Sequence, residues 1–214
     1  MTSGHRDPVY TAAKAGDVQA ARQLVQELVL PKLARQVWPE RWPSDLVLCS
    51  AHAYEETGIN AIPHALACHL AWCLSLAVEV GIAQANAERH TGASGVARLA
   101  RQAQFSGQVT RGARYVLIDD FVGMGGTLAN LCGHITSAGG AVVGACVLTC
   151  QPRSTTLALT LATLRRAHGP EFESWWRHRY GHGFDCLTES EARYLARVED
   201  AVALRDRIVA AEQG

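Results

Sequence analysis

Unbroken apolar runs and helical stripes alternate through the middle of the chain. Arg114–Ile118 and Ala141–Thr149 are two such runs, and they predict strands that are buried on both faces. Between them, apolar residues recur on one helical face: Leu128, Leu131, Cys132 and Ile135. Gly139-Gly140 ends that helix. Buried strands joined by a helix predict an α/β fold, with a mainly parallel sheet covered by helices.

The first half of the chain shows the same two kinds of pattern. Asp17 is placed to cap a helix whose apolar residues recur at helical spacing: Ala21, Leu24, Val25 and Leu28. A short strand is predicted at Asp45–Cys49, and a second helix is predicted to be capped by Asn60. The buried stripe of that helix is Ile62, Leu66, Leu70, Cys73, Leu74 and Ala77. The run 65–83 is the longest apolar stretch, and its stripe predicts a buried helix rather than a membrane span.

The last sixty residues are more polar and mainly helical in pattern. Thr155–Leu159 predicts an edge strand, and Leu161–Ala167 and Glu171–Tyr180 predict short helices. The sequence Thr188-Glu-Ser-Glu191 resembles a capping box, which opens a final helix that runs to about Ala211.

These patterns divide the chain into three parts. Residues 1–44 form an N-terminal helical segment, residues 45–150 an α/β core, and residues 151–214 a helical C-terminal extension. The extension is rich in aromatic and imidazole side chains: Trp175, Trp176, His178, His182 and Phe184. Rings at this density predict a small packed cluster more strongly than a docking surface.

Charge and cysteine usage narrow the classes of function. Lys plus Arg equals Asp plus Glu at 20 each, so no overall field attracts nucleic acid or an anionic membrane. The first ten residues lack the pattern of a secretion signal. Seven cysteines without a CxxC pair predict a reducing, cytoplasmic setting. One group suggests a metal by composition, namely His64, Cys68, His69 and Cys73, but Cys68 and Cys73 face different ways, so helix packing is favoured.

The candidate chemistry lies where the strand 114–118 ends. Asp119 and Asp120 come next, followed by a glycine-rich loop and then Thr127. In a parallel sheet, ligands bind beyond the carboxyl ends of the strands. Glycines let the backbone N–H groups approach a ligand, and the N-terminal end of the following helix favours a phosphate. Thr127 adds a hydroxyl donor.

Two adjacent carboxylates require something cationic or rich in hydroxyls opposite them, such as Mg²⁺ or a sugar. Other phosphate loops fit less well. A Walker loop needs a lysine after the last glycine, and Thr127 follows Gly126 directly. A dinucleotide-binding loop needs a third glycine where Leu128 stands. The sequence therefore predicts a site for a sugar phosphate.

Residues 116–128 resemble the phosphoribosyl-diphosphate (PRPP) signature of type I phosphoribosyltransferases. The shared pattern is a hydrophobic strand, two acids, two apolar residues and a small-residue loop that ends in Gly-Gly-Thr. Phe105-Ser-Gly107-Gln-Val109, before a glycine turn, is also similar to family sequence. The resemblance spans roughly residues 45–150 and fades outside them.

The resemblance implies transfer of ribose 5-phosphate from PRPP to a nitrogenous base or another nucleophile, with loss of diphosphate. Asp119 and Asp120 would hold the ribose hydroxyls, directly or through Mg²⁺ as cofactor. The 5-phosphate would be held by Gly123, Met124, Gly125, Gly126 and Thr127. The loop facing the diphosphate would be Ser50, Ala51 and His52. A mobile lid at residues 85–104 would offer a cation to the diphosphate, with three candidates: Arg89, Arg98 and Arg101.

Several alternatives stay open at this point. Gly123 stands where purine-salvage members of the family carry an acid, so hypoxanthine and guanine are predicted to be poor substrates unless Asp185 or Glu189 supplies the carboxylate. The hood that recognises the base comes from the N-terminal 40 residues or from the extension. One rival function is a PRPP- or nucleotide-sensing regulator, and another is an interaction protein that docks through the extension. A homodimer is compatible with the sequence.

Overall fold

The computed structural model describes residues 7–51, 54–55, 58–86, 100, 102–150, 160–198 and 200–212. The strands in chain order are β1 (Val47–Ser50), β2 (Tyr54–Glu55), β3 (Gly58–Ile59), β4 (Ala77–Glu79), β5 (Ala83–Gln84), β6 (Phe105–Ser106), β7 (Arg114–Val122) and β8 (Ala141–Cys150). The α-helices are α1 (Pro8–Lys14), α2 (Val18–Leu28), α3 (Pro31–Val37), α4 (Ile62–Leu74), α5 (Gly126–Ser137), α6 (Leu161–Tyr180), α7 (Glu189–Ala196) and α8 (Ala201–Glu212).

Within the described residues the main sheet has four strands, in the order β4-β1-β7-β8, and every neighbouring pair is parallel. The fold class is therefore α/β with a parallel sheet covered by helices, as the sequence predicted. The central strand β7 has β1 on one side and β8 on the other. Ser50 at the end of β1 pairs with Ile118, which places the ends of both strands at one edge of the sheet.

Helices cover both faces of this sheet. Alternate residues of β7 point to opposite sides, and the apolar residues on each side are buried under helices. Val116 and Ile118 pack with the N-terminal helices and α4. Tyr115 and Leu117 pack with α5 on the other face. A third cluster lies in the C-terminal extension and also includes Ala100. The segment 8–37 thus supplies much of one core layer, with Ala13, Ala21 and Val25 fully buried.

Two predictions from apolar patterns are wrong at the ends of helices α4 and α2. The run 65–83 is not one helix: α4 ends at Leu74, Ser75 takes a left-handed conformation (φ 56°), and Ala77 begins strand β4. A helix that is apolar all round contains no internal signal for its end. Leu28 was expected in the core of α2, but it is the last residue of that helix and is 54% exposed. Asp17 caps α2 as predicted, through bonds from the backbone N–H groups of Gln19 and Ala20.

The C-terminal extension follows most of its predicted pattern. The two predicted helices abut in α6, where Gly169 interrupts the helix (φ 74°) before Pro170. Thr188 and Glu191 form the predicted capping box at the start of α7. The predicted helix to Ala211 is wrong as a single element, because α7 ends at Ala196 and α8 follows. The predicted edge strand 155–159 lies outside the described residues.

The rings of the extension form a packed cluster, which agrees with the favoured prediction. Trp176 and Phe184 are fully buried, and the Trp176 ring lies 4.5 Å from that of Tyr180 and 6.5 Å from that of Phe172, measured between centroids. The exception is His178, whose side chain is exposed. Across the described residues, no helix combines the length and the apolar character that crossing a bilayer requires.

The cysteine–histidine group on α4 serves packing. His69 Nε2 lies 2.7 Å from the carbonyl oxygen of Val29, and Cys68 Sγ lies 3.5 Å from His64 Nε2 one helical turn away. In the part of the chain that the structure describes, no group of three or more His, Cys, Asp or Glu side chains could hold a metal ion. All seven cysteines are free thiols.

Candidate functional site

The strand β7 extends further than its apolar run predicted. It continues through Asp119 and Asp120 to Val122, so both carboxylates belong to the strand and the loop begins at Gly123. Asp119 pairs in register with Val147 of β8, and Ala51 donates its backbone N–H to the carbonyl of Ile118 at 2.9 Å. The neighbouring strands thus hold this segment extended, although aspartate is otherwise depleted in strands.

Asp119 and Asp120 are consecutive residues of one strand, so their Cβ atoms lie on opposite faces of the sheet, yet their carboxyl groups are close enough to interact. Asp119 is 8% exposed and lies on the face covered by α5. Its Oδ1 accepts the backbone N–H of Asp120 at 2.8 Å. Burial, and then the nearby Asp120 carboxylate, raise the pKa of Asp119 well above its usual value. A proton on Asp119 is therefore held more firmly than on an exposed aspartate.

Asp120 already has a cation. Its Oδ2 lies 2.9 Å from Nζ of Lys14, at the end of α1, and its Oδ1 accepts a hydrogen bond from Asn60 Nδ2 at 3.1 Å. Asn60 also accepts the backbone N–H of Ile62 with its Oδ1, so it joins Asp120 to the start of α4. The cation expected opposite the two acids is therefore supplied to Asp120 by a residue of the chain itself.

The loop after β7 turns sharply into α5. Gly125 adopts a left-handed conformation (φ 94°) as the residue before the helix, which a residue with a side chain rarely adopts. No side chain of the described residues caps the helix there. The first N–H groups of α5, together with the half-buried Thr127, therefore form the type of helix start that binds anions.

The C-terminal extension packs directly on this loop. The Thr188 hydroxyl donates to the carbonyl of Met124, and a Cβ on Gly125 would lie 2.2 Å from the Thr188 methyl group. Glu191 Oε1 lies 3.0 Å from the place of a Cβ on Gly126. Two of the loop glycines are therefore needed for packing against the extension, in addition to any approach of a ligand.

Glu191 brings a carboxyl group from the extension to this loop, and it was not among the candidates predicted from the sequence. Its side chain is 2% exposed, and burial raises its pKa to about 7. Asp185 is exposed and its Oδ1 lies 4.0 Å from Nη2 of Arg177, whereas Glu189 accepts a hydrogen bond from Arg193 Nε at 2.7 Å.

A polar network connects α5 with the two segments that flank it. Asn130 Nδ2 donates to the carbonyl of Gly126 at 2.7 Å and to Gln102 Oε1, while Asn130 Oδ1 lies 3.1 Å from His182 Nε2. A cavity of about 560 Å³ opens beside this network. Its lining includes Gln102, Asn130, His134, Ser137, Arg179 and Tyr180. The cavity is large enough for a small polar molecule.

The structure describes the base of the predicted lid. Strands β5 and β6 form an antiparallel ribbon, and Ala85 N donates to the carbonyl of Gln104 at 2.7 Å. Asn86 connects the two segments that follow β5 and precede β6. Its Nδ2 donates to the carbonyl of Gln102, and its Oδ1 accepts from the backbone N–H of Gln104. Arg89, Arg98 and Arg101 lie outside the described residues, and so does His52. Ser50 and Ala51 are buried at the end of β1, beside Asp119.

Four site residues escaped the sequence analysis in their present roles. Lys14, Asn60, Thr188 and Glu191 belong to elements far apart in the chain. From the sequence, the last three were interpreted only as helix signals, and Lys14 was not identified at all. The capping box at Thr188 was the one available clue to the extension. Both the N-terminal segment and the extension reach the site, the first at Asp120 and the second at the loop.

We expect the Glu191 carboxyl to make stability depend on pH. The group ionises at its usual pKa of 4.5 in the unfolded chain and at about 7 in the folded chain, so folding stability falls as pH rises between these values. Glu191→Gln removes this dependence and keeps a capping-box side chain. Relative to the wild type, the variant should gain up to about 3 kcal/mol in unfolding free energy between pH 4.5 and about pH 8.

Urea denaturation at several pH values measures this effect. Asp119 also titrates, but it is present in both proteins and cancels in the comparison. Glu171→Gln, on the exposed surface of α6, is the matched control and should differ from the wild type by the same small amount at every pH. A Glu191→Gln difference that stays constant across the range contradicts the expected burial effect.

Comparison with known proteins finds relatives for most of the chain. No family model matches the chain. It is 38% identical to the protein TraN of Escherichia coli over 208 residues, which are 96% of this chain and 46% of TraN. It is 34% identical to an uncharacterised protein of Haemophilus influenzae over 128 residues, which are 60% of this chain and 29% of that protein. The chain therefore spans less than half the length of these relatives.

Among solved structures, the chain is similar to an adenine phosphoribosyltransferase. The likeness covers 64% of this chain and 71% of that one, with 15% sequence identity and a TM-score of 0.35. A TM-score this low does not by itself establish a common fold. The phosphoribosyltransferase resemblance therefore rests on the motif at residues 116–128 and on the geometry around it.

Proposed function

We propose that the chain binds PRPP at the carboxyl end of β7 and transfers its ribose 5-phosphate to a nitrogenous base or another nucleophile. The observation that carries the proposal is a pair of buried carboxylates at the end of a central parallel strand, followed at once by a glycine turn into an uncapped helix. This order places acceptors for sugar hydroxyls beside donors for a phosphate.

Each part of the ligand has a matching group in this proposal. The 5-phosphate accepts hydrogen bonds from the backbone of residues 123–126 and from Thr127. Asp119 and Asp120 accept from the ribose hydroxyls. The end of β1 at Ser50 and Ala51 faces the diphosphate, because it lies beside β7 at the same edge of the sheet.

The proposed reaction asks mainly for positioning and charge stabilisation. Positive charge builds at the ribosyl carbon while diphosphate leaves with negative charge. Buried carboxylates beside the ribose stabilise the first of these charges. A segment that closes over the site excludes water, which would otherwise hydrolyse the activated sugar. The β5–β6 ribbon holds both ends of the segment to which we assign this part.

A second candidate, a regulator that senses PRPP or a nucleotide without turnover, is favoured by two contacts. Lys14 already pairs with Asp120, and Thr188 already covers the loop at Met124. Both contacts would have to adjust for a ligand, which suits a protein whose conformation reports binding. The two candidates use the same binding site and differ in whether diphosphate is released.

Diphosphate release in the presence of PRPP tests the two candidates together. The bases to be screened are adenine, uracil, orotate, hypoxanthine and guanine. Release with one base supports the transferase, whereas PRPP binding by calorimetry without release from any nucleophile supports the regulator. Hypoxanthine and guanine should be poor substrates, because Gly123 has no carboxylate to take the ring proton. Absence of PRPP binding rejects both candidates.

Thr127→Val should weaken ribose 5-phosphate binding by about 1.5–3 kcal/mol, the range for a hydrogen bond to a charged group. Valine keeps the shape of the side chain and removes only the hydroxyl. Thr136→Val is the matched control, because Thr136 lies at the far end of α5 and its hydroxyl donates to the carbonyl of Cys132. Calorimetry with ribose 5-phosphate and with ribose gives the answer: an equal loss for both sugars would show that Thr127 does not contact the phosphate.

A further inference from the structure

We propose that Lys14 is the resident cation of the strand-end carboxylates, so that the ribose subsite works without Mg²⁺ at Asp120. The part of this inference that concerns the sugar rests on the proposed function. The part that concerns the metal stands on the contacts of Lys14 and can be tested with a metal ion alone.

The first step is that both oxygens of Asp120 are engaged. Lys14 Nζ lies 2.9 Å from Oδ2, and Asn60 Nδ2 donates to Oδ1 at 3.1 Å. The Asp120 side chain is 6% exposed and that of Lys14 is 22% exposed, so water screens their attraction less than at the surface. An ion of charge +2 bound to Asp120 would lie next to the ammonium group, and the two cations would repel each other.

The second step is that α1 holds Lys14 in place through the fold. Ala13, the preceding residue, is fully buried in the core, and its carbonyl accepts the backbone N–H of Ala61 at 3.1 Å. Gly16, just beyond the helix, packs against the backbone of Ile59. Asp7 caps the start of α1 by accepting the N–H of Val9. Lys14 is thus positioned by helix packing on both sides, unlike a lysine on a solvated face.

The third step is that the remaining donors fit Mg²⁺ poorly. This ion prefers six oxygen ligands in a near-octahedral arrangement. Asp120 already has Lys14 and Asn60 as partners, and Oδ1 of Asp119 accepts the backbone N–H of Asp120. Within the described part of the chain no cluster of three ligating side chains exists. The predicted coordination of Mg²⁺ by both aspartates therefore does not fit this arrangement.

Lys14 also has the chemistry that the subsite needs. An ammonium group carries three donors, so it can keep its ion pair with Asp120 and donate to a ribose hydroxyl as well. Asp120 can then accept from the neighbouring hydroxyl. The N-terminal segment would in this way contribute a specificity-determining residue for the sugar, and Mg²⁺ that accompanies PRPP would be bound by the diphosphate and not by Asp120.

Manganese binding tests the metal part directly, with Mn²⁺ as the probe and electron paramagnetic resonance as the readout. The wild type should bind Mn²⁺ no more tightly than Asp120→Asn does. Lys32→Met is the control, because Lys32 is an exposed lysine of α3, and it should behave like the wild type. Lys14→Met removes the charge and keeps the chain length. It should bind Mn²⁺ about tenfold more tightly or better, because it removes a close like charge. Asp120→Asn in the Lys14→Met background should abolish that gain.

Either of two results overturns the metal part of the inference. The first is that the wild type binds Mn²⁺ and that Asp120→Asn abolishes this binding. This result does not depend on the Lys14 variant, so it is decisive even if Lys14→Met folds poorly. The other is a well-folded Lys14→Met protein, by circular dichroism, that gains no affinity for Mn²⁺.

Calorimetry with ribose 5-phosphate tests the sugar part, because this ligand has no diphosphate to bring Mg²⁺ with it. The wild type should bind it equally in MgCl₂ and in EDTA, and Lys14→Met should lose affinity in EDTA. Binding that requires Mg²⁺ overturns the inference and supports the proposed function. Absence of binding in both solutions counts against the proposed function, and the Mn²⁺ titration still decides the role of Lys14.

Discussion

The variant Asp119→Asn/Asp120→Asn is expected to lose ribose 5-phosphate binding by about two orders of magnitude or more. Each carboxylate that accepts from a ribose hydroxyl contributes about 1.5–3 kcal/mol as a hydrogen bond to a charged group. Loss of both therefore costs about 3–6 kcal/mol of binding free energy, or at least about a hundredfold in Kd. Burial increases the effect, because water cannot replace the lost acceptors without entering the sheet edge.

The fold should survive this double change. Asparagine has nearly the same shape as aspartate, and its amide oxygen can still accept from Asn60 and from Lys14. Lys14 loses its charge partner, so a moderate loss of stability is expected, and circular dichroism must confirm that the variant is folded. Asp45→Asn is the matched control, because Asp45 is an exposed carboxylate that pairs with Arg114 at the other end of β7. It should leave the Kd unchanged. Equal binding by the double variant and the wild type would refute the site.

Trp176→Ala should lower the free energy of unfolding by about 3–5 kcal/mol, the usual cost of truncating a buried tryptophan. The Trp176 side chain is fully buried, and its ring lies within 6.5 Å of the rings of Phe172, Tyr180, His182 and Phe184. No partner for its indole N–H exists among the described residues, so the wild type already bears the cost of an unpaired donor. The loss should therefore lie toward the lower end of the range.

Guanidinium denaturation measures this change, with Trp72→Ala as the control for side-chain size. Trp72 is 72% exposed on α4, and its removal should change stability by about 0.5 kcal/mol or less. The variant has a second consequence for the site, because the same cluster positions Thr188 against the loop. Ribose 5-phosphate affinity should change together with stability in Trp176→Ala. A loss of stability below that of the control would mean that the rings are not a structural core.

The fold class followed from the sequence because its signals are local. Burial of β7 and β8 on both faces leaves unbroken apolar runs, and the helical stripe between them marks α5. The glycine turn and the start of α5 are also encoded within a few residues, since Gly125 needs a left-handed backbone. The motif at 116–128 could therefore be recognised without any knowledge of its neighbours.

Tertiary structure alone decided where the strand ended and what surrounds its carboxylates. Aspartate has a low preference for strands, but β1 and β8 supply ladder partners on both sides. Asp120 forms an ion pair with Lys14 and accepts a hydrogen bond from Asn60. Lys14 lies more than a hundred residues from Asp120 in the chain. Its pattern, one lysine at the end of a short helix, is the same as that of a solvated surface residue.

The contact between the C-terminal extension and the loop after β7 could not be predicted from the sequence either. Thr188 and Glu191 form a capping box, which is a local signal, and it predicted the start of α7 correctly. Nothing local shows that this helix start packs on Gly125 and Gly126, because the contact depends on how the aromatic cluster orients the extension. Side-chain periodicity tells which face of an element is buried, whereas the partner of that face is set by the packing of the whole chain.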